Sequence, residues 1–119
     1  MTNRELTDNI SILSTITPLT VAQGMTTQVN EGVKFGKVVE VNIVVNSVDT
    51  TSDDVNVGTM AYNCANNYAF LNIADNSKPY IPLGQAYIRK NNGGDLVIPK
   101  GSITGSGKDV RITGVYICQ

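Results

Sequence analysis

The sequence predicts an all-β chain, an antiparallel β-sandwich of the jelly-roll-like kind with about eight short strands. Three observations carry this. Val, Ile and Thr, the strand formers, make up roughly a third of the residues. Turn signals recur about every ten residues. Helical periodicity is nearly absent.

The start, "MTNRELTDNISIL", has two readings. Leu6, Ile10 and Leu13 fall at helical spacing with Asp8 near a cap, which describes a short N-terminal helix. Ile10, Ile12 and Ser14 also alternate, which describes an extended lead-in. Pro18 closes the segment either way. The expected organisation is a lead-in or neck over 1–17 and a single β head domain over 18–119.

After Pro18 the chain reads as strand on strand. "PLTVAQG" is a short strand. A turn is expected at Asn30-Glu31-Gly32, followed by the strongest strand, in which Val39, Val41, Ile43 and Val45 form one apolar face. "DTTSDD" is a polar loop and "VNVGTMAY" a strand. "YAFLNIA" sets Ala69, Leu71 and Ile73 against Tyr68, Phe70 and Asn72. "DNSKPYIP" is a turn, "GQAYIRK" a strand, "NNGGD" a hairpin turn and "LVIP" its return. A Gly/Ser loop, "KGSITGSGKD", leads to the last strand, "VRITGVYIC", whose core face is Val110, Ile112, Gly114, Tyr116 and Cys118.

Composition narrows the function. The formal net charge is −1 and charged residues are 16% of the chain. No basic footprint points to nucleic acid, and no apolar run is long enough for membrane insertion. The reading expects no secretion signal. A neutral surface of Asn, Thr and Ser suits hydrogen bonding to uncharged ligands such as sugars.

Catalytic signals are sparse. There is no histidine, which removes the Ser-His and Cys-His pairs and the commonest metal ligand. "GSGKD" lacks the phosphate-loop spacing. Asp53-Asp54 reads as a solvated loop and not as a calcium site. A glycosidase needs only two carboxylates that meet in space, and nothing local supports such a pair. The reading is therefore no enzyme, no cofactor and no metal. Cys64 and Cys118 lie far apart in sequence, and two free buried thiols are favoured over one disulfide.

Binding residues are picked from loop tyrosines and their polar neighbours. They are Tyr62, Asn63, Asn66, Asn67 and Tyr68, then Asp75, Asn76 and Tyr80. A tyrosine ring stacks on a sugar while amides and carboxylates bind its hydroxyls. Tyr87 and Tyr116 lie on strands and are expected in the core.

Two strands have one apolar face and one mixed face. Val38, Val44, Val115 and Ile117 interrupt the polar alternation expected of a solvated sheet face. They are read as an oligomer interface, covered by another copy of the chain, with the N-terminal segment folding back as the alternative cover.

"GKVVEVNIVVNS" followed by "VGTM", and then "AYIRKNNGGDLVIPKGSITGSGKDVRITGVYI", resemble the head domains of phage tail-fibre and receptor-binding proteins. The resemblance spans roughly Val33 to Ile117 and is one of strand and turn order. The chain differs from the family in having no long fibrous region before the head, and it carries "TMAYNCANNY" where the family has a proline-rich segment. The resemblance implies a homotrimer in a virion tail or baseplate, or a prophage product in the bacterial cytoplasm, that binds a host cell-surface glycan and packs on other virion proteins. The alternatives are a virion decoration or assembly protein that binds only viral proteins, and a cellular carbohydrate-binding module.

Overall fold

The computed structural model describes residues 13–103 and 107–119. Among the described residues the chain is all-β apart from one short 3₁₀ turn. Nine strands run in order: β1 (Leu13–Ile16), β2 (Leu19–Val21), β3 (Thr27–Phe35), β4 (Val38–Val48), β5 (Val55–Met60), β6 (Tyr68–Asp75), β7 (Pro82–Arg89), β8 (Asp95–Ile98) and β9 (Lys108–Ile117). All pair antiparallel in one sheet of order β1-β3-β4-β9-β6-β7-β8-β5-β2, curled into a half-barrel.

The curl brings the two sheet edges together. β1 and β2 are consecutive in sequence yet lie at opposite ends of the strand order. Only Thr17 and Pro18 separate them. Pro18, which has no N–H to donate, sits where the ladder changes partner. Its carbonyl accepts a bond from Ala61 N–H at 2.7 Å. Asn30 of β3 stitches the other side: its Nδ2 donates to the Leu19 carbonyl at 2.7 Å, and its Oδ1 accepts from Leu19 N–H at 3.1 Å.

The core fills the concave side. Val39, Val41, Ile43 and Val45 of β4 face inward with Val110, Ile112 and Tyr116 of β9, as their alternation requires. Leu71, Ile73, Ile88, Leu96 and Ile98 join them from β6, β7 and β8. Thr50 is buried, and its hydroxyl is satisfied by Ile103, accepting from N–H at 2.8 Å and donating to the carbonyl at 3.2 Å.

Several expectations change. Asn30-Glu31-Gly32 is not a turn but lies inside β3, and the turn falls at Gly36-Lys37. Gly36 has φ +60°, a conformation a tight hairpin needs and glycine adopts without strain. Leu13–Ile16, expected within the lead-in, is an edge strand paired with β3. The alternative of a helix through Leu6 and Ile10 falls outside the described residues. Tyr87 is half-buried on the outer face, where its hydroxyl bonds Asp54 Oδ2 at 3.3 Å.

Candidate functional site

The convex face of the sheet carries two bands. The first is apolar. Register aligns Leu13 with Phe35, Phe35 with Val38, and Val38 with Ile117, giving one row across β1, β3, β4 and β9. Each of these side chains is 39–58% exposed. Val115 (56% exposed) stands beside the row on β9. The β6–β9 ladder ends at Asn72–Thr113, just before Gly114. Beyond that point Tyr68 and Phe70 of β6 and Val115 and Ile117 of β9 line one cleft of about 310 Å³. The Tyr68 and Phe70 rings stack at 6.5 Å, and Tyr87 meets Tyr68 edge-on at 6.0 Å.

Val38, Val115 and Ile117 thus belong to a larger belt with Leu13, Phe35, Tyr68 and Phe70. Alternation alone marked only the aliphatic members of β4 and β9; the register adds the rest. Val44 does not belong. It is fully buried between its cross-strand neighbours Val29 and Arg111 and offers a partner no surface.

The second band is polar. Register places Glu31, Asn42, Thr113, Asn72 and Gln85 in a row across β3, β4, β9, β6 and β7. Arg111 lies alongside, donating from Nη1 to Asn42 Oδ1 at 2.6 Å and from Nε to Asn76 Oδ1 at 3.2 Å. The five residues of the row carry no loop-tyrosine signal, because each is a single polar residue on a different strand.

The residues picked for binding divide between the two ends of β6. Tyr62, Asn63, Asn66 and Asn67 lie before it and Tyr68 opens it; Asp75 closes it, with Asn76 and Tyr80 beyond. The length of β6 separates the groups, roughly 23 Å from Tyr68 to Asp75. In the first group Asn63 is a structural brace: it donates to the Lys90 carbonyl and accepts from Cys64 N–H. Lys34 Nζ lies 5.1 Å from the centre of the Tyr62 ring and occupies one of its faces. Asn66 and Asn67 are exposed.

The second group forms a cleft of about 410 Å³ lined by Ala74, Asp75, Asn76, Tyr80 and Arg111. Tyr80 is 54% exposed and holds φ +60°, unusual for a bulky residue. Asp75 accepts bonds from Ser77 N–H at 2.9 Å and Lys108 Nζ at 3.2 Å. The Ser77 bond, then the lysine, hold its carboxyl below the usual range. The cleft therefore presents an aromatic ring, a carboxylate, an amide and a guanidinium together.

Two carboxylates also share a cleft. Glu31 and Glu40 line one with Thr15, Val33 and Asn42. Because Glu31 faces Asn42 and Glu40 faces Val33, they are diagonal neighbours on one face, with Cα atoms about 7 Å apart. Asp54, by contrast, is an anchor: it accepts bonds from Lys100 N–H and the Tyr87 hydroxyl. Among the described residues no group of three or more His, Cys, Asp or Glu could hold a metal ion, and no helix is long and apolar enough to cross a membrane.

No protein-family model, no curated protein and no solved structure matches the chain.

Proposed function

We propose that this chain is a non-enzymatic, homo-oligomeric structural protein of the tail-fibre head type, built into a phage tail or baseplate, that binds a host-surface saccharide. The apolar belt on the convex face carries this reading. Seven large apolar or aromatic side chains, each about half exposed, lie together on that face. A contiguous run of exposed large apolar side chains of this kind marks an interaction surface. A neighbouring copy would cover it. In this reading the curled sheet is a variant of the jelly-roll-like sandwich. The Tyr80 cleft supplies the chemistry for a sugar, and several clefts held in one trimer make weak sites useful together.

Light scattering on a sizing column tests the oligomer. A trimer supports the reading, and a monomer at all concentrations removes its basis. A glycan array probed with wild type and Tyr80→Ala tests the ligand. Binding lost in the variant assigns the Tyr80 cleft. Oligomers that bind no glycan favour the alternative of a virion decoration or assembly protein.

One observation favours a second reading, glycoside hydrolysis. Glu31 and Glu40 are diagonal neighbours on one face, a backbone spacing of about 7 Å from which two long side chains can bring their carboxyl groups to the roughly 5–10 Å of a glycosidase pair. Both residues are exposed. Reducing-sugar release that Glu31→Gln and Glu40→Gln each abolish would establish it in place of the binding reading.

A further inference from the structure

Cys64 and Cys118 lie 54 positions apart in sequence and face each other in space. They form an isolated antiparallel bridge, outside the named strands. Two backbone bonds flank it: Ala65 N–H to the Ile117 carbonyl at 2.9 Å, and Gln119 N–H to the Asn63 carbonyl at 3.0 Å. Neither cysteine bonds the other through its own backbone, so this is a non-hydrogen-bonded pair. Such pairs bring the two Cα atoms to about 4.5 Å, with side chains on the same face. That lies within the span of about 4.4–6.8 Å that a disulfide bridges without backbone movement. Both thiols are free and buried.

We infer that Cys64 and Cys118 are a redox site, two thiols in reducing surroundings and one disulfide in oxidising ones. The step is a thiol–disulfide exchange with an external small-molecule disulfide. One cysteine thiolate attacks it and expels a thiol, leaving a mixed disulfide. The second cysteine then attacks its neighbour's sulfur and expels the other thiol. The chain loses two electrons and two protons, and the external disulfide takes up both and becomes two thiols.

The location gives the bond a consequence. Cys118 follows Ile117 of the belt, and Cys64 lies in the loop that carries Asn66 and Asn67 and leads into Tyr68 of β6. Both walls of the cleft between β6 and β9 are therefore tied by the same bond. Cys64 Sγ now donates to the Asn66 carbonyl at 3.1 Å. Burial pushes the Cys64 thiol up, so the thiols react slowly while the protein stays folded. The bond would form as the chain meets an oxidising environment or during folding in one.

The test is equilibration of the whole chain in glutathione buffers of increasing oxidised fraction, followed by acid quench, intact mass and peptide mapping. The inference expects a monomer lighter by two hydrogens, a Cys64–Cys118 crosslinked peptide, and a Tm raised by roughly 10 °C. Cys118→Ala should show no such shift. Refolding the wild-type chain from denaturant in the same buffers reads the same bond even where the variant does not fold. Free thiols throughout, glutathione adducts at both cysteines, or disulfide-linked dimers would each overturn it.

Discussion

At the scale of single residues, a polar group takes its energetics from the partner it finds. Tyr116 is a core residue of β9, yet its hydroxyl reaches the Tyr62 carbonyl at 2.6 Å. Burial pushes that phenol well above its ordinary range, so it stays a donor. Tyr116→Phe leaves the carbonyl without this bond and should cost about 1 kcal/mol, read from urea denaturation. Asp75 works in the opposite sense. Its folded carboxyl lies below the reference value of 3.8, held there by Ser77 N–H and then Lys108. The stability it adds is complete above that reference value and is lost as pH falls through the lower folded value. Thermal melts of wild type and Asp75→Asn should therefore differ at neutral pH and converge in strong acid. An unchanged gap at both pH values would contradict this account of the carboxylate.

At the scale of elements, edge strands depend on close backbone approach. β2 has three residues and is held to the sheet by β5. Gly58 on β5 has φ +153°, and a Cβ there would land on the Thr20 carbonyl oxygen and lie 2.9 Å from Leu19 Cδ1. Gly58→Ala should push β2 off the edge and destabilise the fold by about 2 kcal/mol. Faster hydrogen exchange at Ala22, whose N–H donates to the Val57 carbonyl at 3.0 Å, would localise the damage. Gly114 plays a related part on β9. With φ +154°, it leaves the space that Leu71 fills from β6, where a Cβ would come within 2.9 Å of Leu71 Cδ2. The ladder between the two strands stops just before it, which opens the cleft beside the belt.

At the scale of the whole molecule, the curl of one sheet decides what the surface offers. The concave side is filled, so function is left to the convex side and the loops. Ile117→Asp places a charge in the belt without touching the core, because Ile117 is half exposed. It should convert an oligomer to monomer by light scattering and leave the Tm of the monomer nearly unchanged. A variant that unfolds instead would mean that Ile117 supports the sheet itself.

The strand class, the inward faces of β4 and β9 and most of the turns were legible in the sequence, because alternation and turn chemistry are local. The turn at Gly36 was misplaced for a local reason too: Asn-Glu-Gly is a good turn sequence, and only pairing with β4 makes it strand. Val44 shows the limit of alternation, since its outward face is covered by neighbours that register alone supplies. The binding picks were a single set on paper and became two groups at opposite ends of a strand. Side-chain period is a property of one strand and is written in its residues. Which residues of different strands meet, whether in the belt, the amide row or the cysteine pair, depends on strand order and register, and the curled sheet alone decides those.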